Sequence, residues 1–163
     1  MMKFILMMLL SITSTVWAYD VNHCETSRNT CGFYKCAEAE YRCGGSGYLK
    51  SVAEPLCDQA GYEHISKNGK ENALLSDFTK KVRRCLQEQI VDMSPYIKSC
   101  TELKDKALDS HIPCFIENGY CELSFFQKIR VFKNPLGFIK ISGIKKMNRL
   151  SKALSMGCKY EGK

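Results

Sequence analysis

The sequence predicts an all-α, disulfide-rich domain of helical hairpins stapled by about five bridges. Three observations carry that prediction. Ten cysteines, an even number, all follow an N-terminal segment with the pattern of an export signal. Apolar residues recur at helical spacing through most of the rest of the chain. Period-two alternation, the mark of a half-buried strand, is scarce. A brief run, Phe138-Ile139-Lys140-Ile141, fits a helix at least as well.

The N-terminus decides how the cysteines are read. Residues 1–18, MMKFILMMLLSITSTVWA, carry one early charge, Lys3, then an apolar core from Phe4 to Leu10. Val16 and Ala18 place compact residues at −3 and −1 of a cleavage site after Ala18. The apolar run is far shorter than the roughly 20 residues of a spanning helix, so a cleaved signal peptide is expected rather than an anchor. The expected product is a secreted, extracellular chain, residues 19–163, of about 145 residues and one domain. It shows no repeats and no low-complexity linker.

In an oxidising compartment, ten cysteines become disulfides. A zinc site calls for close Cys-x-x-Cys pairs with histidines at matching distances. No Cys-x-x-Cys occurs, and His23, His64 and His111 are scattered. A thioredoxin-like redox role fails on the same motif. No metal and no cofactor is expected, and His23 and His64 read as surface or partly packed side chains.

The elements follow in order. Gly44-Gly45-Ser46-Gly47 is a turn before a helical segment that Pro55 bends or interrupts. ENALLSDFTKKVRRCLQEQI, residues 71–90, has its apolar stripe at Leu75, Phe78, Val82, Leu86 and Ile90. Lys80, Lys81, Arg83 and Arg84 lie mostly off that stripe, as a solvated face or a binding patch. Ser94-Pro95 predicts the opening of a second helix. Ser99 with Glu102 reads as a capping box before Leu103, Ala107 and Leu108. His111-Ile112-Pro113 ends or kinks that helix. Asn118-Gly119 is a turn. A further helix is expected from Tyr120 through Val131, with Leu123, Phe126, Ile129 and Val131 as its apolar residues. Asn134-Pro135 starts a last helix, residues 135–157, which Gly157 caps.

Charge is uneven. Residues 19–122 hold 13 Lys/Arg and 16 Asp/Glu, net −3, whereas residues 123–163 hold 10 Lys/Arg and 1 Asp/Glu, net +9. In the last helix Lys145, Arg149 and Lys152 follow helical spacing, with Lys140 and Lys146 beside them as a candidate binding surface. Leu136, Ile139, Met147, Leu150 and Leu154 form the opposite side. Such a helix either docks on anionic membrane, sulfated glycan or acidic protein, or covers the core with one face and stays wet on the other. A nucleic-acid partner is not expected of an exported chain without an aromatic-interleaved basic motif.

No enzyme is expected. Gly-x-Ser-x-Gly is absent. Asp109-Ser110-His111 sits beside a proline, away from any Gly-rich calcium loop, and no Asp-x-Asp-x-Asn-Gly loop occurs.

Taken together, the cysteines carry a resemblance. Cys24, Cys31, Cys36 and Cys43 are separated by six, four and six residues, and Cys57 follows. After 27 residues come Cys85, Cys100, Cys114 and Cys121, separated by 14, 13 and 6, and Cys158 stands alone. This order and spacing resembles the stanniocalcin family of secreted helical hormones, over Cys24 to Cys158. CGFYKC is similar to the family's Cys-Gly-aromatic cluster. Gly69-Lys70 followed by LSDFTKKVRRCL resembles its Gly-Lys-x-Phe helix, which ends in Lys-Cys. The resemblance implies the bridges Cys24–Cys36, Cys31–Cys57, Cys43–Cys100, Cys85–Cys114 and Cys121–Cys158. It further implies a hormone-like regulator that binds an extracellular receptor or protease, in calcium and phosphate homeostasis or protease inhibition. The chain departs from the family in three ways. No eleventh cysteine follows Cys158, so any homodimer is expected to be non-covalent. No Asn-x-Ser/Thr glycosylation site occurs, and there is no histidine-rich tail.

Overall fold

The computed structural model describes residues 19–62, 69–131, 145 and 148–159. Among them are six named α-helices and no strand, the all-α, disulfide-rich architecture that the cysteine count and the helical periodicity predict. The N-terminal region contains a 3₁₀ turn, Asn22–Ser27, and α1, Gly32–Tyr41. A π-helical turn, Leu49–Ala53, then runs into α2, Glu54–Tyr62. The long α3, Gly69–Met93, follows. After it come α4, Cys100–Asp109, α5, His111–Glu117, and α6, Phe125–Val131. Residues 148–159 form a C-terminal helix.

α1 buries Phe33, Tyr34, Ala37 and Tyr41, a stripe at helical spacing. It stops at Arg42, which enters the left-handed region at φ 52° and returns its N–H to the Glu38 carbonyl at 2.8 Å. The Gly44–Gly47 turn forms as expected, with the Gly47 N–H on the Gly44 carbonyl at 2.9 Å. Gly44 takes φ 77°, a conformation that suits glycine. Pro55 lies in the first turn of α2, where the missing N–H costs little, and the change from π to α geometry falls just before it.

Buried residues from Val21 to Leu154 form one contiguous core. α3 supplies Leu75, Phe78, Val82 and Ile90, all buried, while Leu86 is only partly so. Phe78 meets Phe115 and Tyr120, with ring centroids 5.7 and 6.3 Å away. Fully buried Gln87 joins the two halves. Its Oε1 accepts from the Asn29 N–H at 2.7 Å, and its Nε2 donates to the Thr30 carbonyl at 2.8 Å. Asn29 holds φ 65°, so this amide clasps a left-handed turn immediately before Cys31.

Four sequence expectations are corrected. Ser94-Pro95 opens no new α-helix; Ser94–Tyr96 is a 3₁₀ turn that closes α3, and the Ser94 hydroxyl donates to the Val91 carbonyl at 2.8 Å. α4 begins later, behind Ser99, whose Oγ accepts from the Glu102 N–H at 3.2 Å, while Glu102 accepts from the Lys98 N–H at 2.9 Å. The helix break beyond α4 falls at Ser110, and Pro113 sits in the first turn of α5, where proline is tolerated. Tyr120–Val131 is not one helix. A 3₁₀ turn, Tyr120–Glu122, ends at extended Leu123, and α6 starts afresh. Gly157 caps nothing, because the C-terminal helix continues through it to Lys159. A Cβ there would collide with the Ile116 side chain, so this glycine permits close packing of that helix on α5.

Five disulfides join Cys24–Cys36, Cys31–Cys57, Cys43–Cys100, Cys85–Cys114 and Cys121–Cys158, with Cα atoms 5.2 to 5.7 Å apart. The first four overlap in sequence, each closing a loop that contains one end of the next. Cys121–Cys158 overlaps none of them.

Candidate binding surface

The C-terminal helix has two faces. Leu150 and Leu154 are buried against the core, and Gly157 seats the helix on Ile116. Cys158 ties its end to Cys121. Arg149 and Lys152 are exposed on the helix, and Lys145 is exposed ahead of it. Lys140 and Lys146 lie outside the described residues. The helix therefore covers the core with one face while the other holds cations in water.

The KKVRR run of α3 is different. Lys81 Nζ lies 2.7 Å from Asp77 Oδ2, and Arg84 Nε donates to Glu88 Oε1 at 2.8 Å, both within one helical turn. Arg83 is half-buried, and its charge sits close enough to the Tyr34 phenol to influence it. Of the four cations only Lys80 is left as exposed charge without a described partner. This is mainly a solvated, ion-paired face.

Beside it is a cleft of about 340 Å³ between α3 and the turn after α5. Leu74, Phe78, Asp77 and Lys81 line one side, with Glu117, Asn118, Gly119 and Glu122 opposite. The Asp77 hydrogen bond, the Asp77 charge and Glu122 hold the Lys81 ammonium above its usual range. Among the described residues no histidine, cysteine or serine lines this cleft.

The histidines divide sharply. His111 is buried, and its Nδ1 lies 2.8 Å from the Ala107 carbonyl. Burial depresses its pKa, which keeps the ring neutral. Ser110 Oγ donates to that same carbonyl at 2.8 Å, so Ser110 and His111 spend their polar groups on the end of α4, while Asp109 is exposed. His23 is exposed, 3.5 Å from Glu40 and 3.6 Å from Cys24 Sγ. His23, Cys24 and Cys36 lie close enough to hold a metal ion, but the two sulfurs are bonded to each other and offer no thiolate. His64 lies outside the described residues.

Sequence reasoning missed the orientation of α6. Its cap is a second box, in which Ser124 Oγ accepts from the Gln127 N–H at 3.3 Å and Gln127 Oε1 accepts from the Ser124 N–H at 2.8 Å. Gln127 turns inward, 4% exposed, while Phe125 and Phe126 are 71% and 70% exposed. Ile129 is 50% exposed. Phe126 and Ile129, read as part of an apolar stripe, face solvent. The signal was present as Ser-x-x-Gln spacing from Ser124 to Gln127.

Among the described residues no helix is long and apolar enough to cross a membrane. No family model matches this chain, and neither a curated protein nor a solved structure does.

Proposed function

We propose that this chain is a secreted, stanniocalcin-like regulatory protein that acts by binding another extracellular protein, a receptor or a protease. One observation carries the reading. The ten cysteines pair on an all-helical scaffold with the same partners that the stanniocalcin resemblance implies. Four overlapping bridges hold a rigid helical block that presents surfaces, and rigid surfaces suit recognition because little ordering is lost on binding. The described chemistry supports recognition over turnover, since Ser110 and His111 of the Asp-Ser-His run are bound to backbone and none of the described residues lining the cleft is a nucleophile. Function is carried by sites and not by folds, so the test is direct.

The exported protein is digested without reduction and its bridges mapped by mass spectrometry, with intact mass read alongside. The expected result is Cys43 linked to Cys100, Cys121 linked to Cys158, no free thiol, and a chain that begins at Tyr19. The same material is titrated against a panel of secreted proteases and scored for stoichiometric inhibition. Different pairings, or a retained N-terminal segment, overturn the secreted stanniocalcin-like reading.

A further inference from the structure

We propose that the outward face of α6 is an insertion wedge for an anionic lipid surface, formed by Phe125, Phe126 and Ile129 with Arg130 at its edge. This surface is independent of the protein-binding role above. At about 100° per residue, Phe125, Ile129 and Phe126 occupy one arc of roughly a quarter turn, and Arg130 comes next. The two rings stand edge to face with centroids 5.8 Å apart.

The polar side of α6 fixes this arrangement. The Gln127 amide is held by its Oε1, which accepts from the Ser124 N–H, while the Gln127 backbone N–H donates to Ser124 Oγ. Lys128 Nζ donates to the Cys121 carbonyl at 3.2 Å and lies 5.3 Å from the Tyr120 ring centroid. Rolling the phenylalanines into the core would turn the buried amide out and break these contacts. A single exposed apolar side chain needs no explanation, but three together on one turn mark an interaction site.

Charge selects the occupant. α6 contains Lys128 and Arg130 and no carboxylate, in a segment, residues 123–163, of net charge +9. A second copy is disfavoured, since two such segments repel. Three side chains also fall far short of the roughly 800 Å² per partner of a stable protein interface. Phenylalanines set among cations match the headgroup boundary of an anionic bilayer, where apolar burial and charge attraction act together and neither alone holds firmly.

The test uses the oxidised chain from Tyr19 to Lys163. It is sedimented with phosphatidylcholine vesicles, with and without about 30 mol% phosphatidylserine. Binding to the anionic vesicles is expected, weakened at least about tenfold in Phe125→Ser/Phe126→Ser and on the neutral vesicles. Unchanged circular dichroism and absence of free thiol show that the variant is folded. The chain's one tryptophan, Trp17, precedes Tyr19, so Phe126→Trp provides a single reporter whose emission shifts to the blue on the vesicles. The wedge is overturned if the wild type ignores anionic vesicles. It is equally overturned if the double-serine variant binds as well as the wild type while Lys145→Glu/Arg149→Glu/Lys152→Glu does not, or if the Phe126→Trp variant binds with unshifted emission. Capture by heparin without capture by vesicles also rejects it and assigns the charge to glycans.

Discussion

The N-terminal region and α6 treat their aromatic residues in opposite ways. Phe33, Tyr34, Tyr41 and Tyr48 are all buried, and three bridges with close-set cysteines hold the helices that carry them. Phe125 and Phe126 stand in water on a short helix whose inward residue is glutamine. The bridging differs in step. Four overlapping disulfides run from Cys24 to Cys114, and Cys121–Cys158 closes a separate loop. The difference teaches that aromatic content alone does not locate a core. Where bridges force helices together, aromatic faces are covered; where a cap fixes a helix the other way, they become surface.

Breaking one bridge in each region is the largest test of this contrast. Cys43→Ser/Cys100→Ser opens a 57-residue separation and is expected to cost about 4 kcal/mol by the loop-entropy argument. Urea unfolding followed by tyrosine absorbance measures it. Cys121→Ser/Cys158→Ser is expected to leave that tyrosine transition nearly in place, since the C-terminal helix can detach from an intact block. Equal losses in both variants would show that the two regions unfold as one.

Gln87→Ala removes the clasp between α3 and the turn before Cys31. It removes two part-buried hydrogen bonds, to the Asn29 N–H and the Thr30 carbonyl, and empties the buried site of the amide, with an expected loss of about 1–2 kcal/mol by chemical denaturation. Gly157→Ala probes the other region. Its methyl meets Ile116, and about 1–3 kcal/mol is expected from overpacking, read as earlier loss of the C-terminal helix in hydrogen exchange. A paired Ile116→Val change is expected to restore part of it.

The smallest effect near neutral pH is the tyrosine titration. Burial pushes the Tyr34 phenol up to about 12, against the opposing Arg83 charge and Gln87 hydrogen bond. Burial also raises Tyr41, helped by Tyr19, and Tyr48, helped by Tyr34. A folded pKa above the unfolded value of about 10 leaves stability intact below pH 10 and removes it as pH rises beyond. Absorbance of tyrosinate is expected to appear in two steps, the second coincident with loss of helical circular dichroism. A single step near pH 10 would place these phenols in water.

Much of the fold was legible in the sequence because its signals were local. The stripe from Leu75 to Ile90 marks α3, Ser99 with Glu102 marks the start of α4, and Pro55 marks the change into α2. What was misread involved one residue with two available physical roles. Gly157 looks like a cap in sequence but supplies a close approach, which only the position of Ile116 reveals. Phe126 lies inside a Ser-x-x-Gln box, and with Ile129 three residues on it imitates a core stripe. α1 went unread although Phe33, Tyr34, Ala37 and Tyr41 have helical spacing, because four cysteines in the same stretch dominate its composition. Of the candidate surface, the exposure of Arg149 and Lys152 follows from their phase against Leu150 and Leu154.

The overlap of the first four bridges also determines what a protease can achieve. Any single cut between Cys24 and Cys114 falls inside at least one closed loop, so the nicked molecule remains one covalent piece. A cut between Cys121 and Cys158 is likewise spanned. Between Cys24 and Cys158, only cleavage in the stretch from Cys114 to Cys121, the end of α5 and the Asn118-Gly119 turn, severs the chain into two unlinked fragments. That stretch is the one place where a single hydrolysed bond could release the cationic quarter, with its phenylalanines, as a separate molecule.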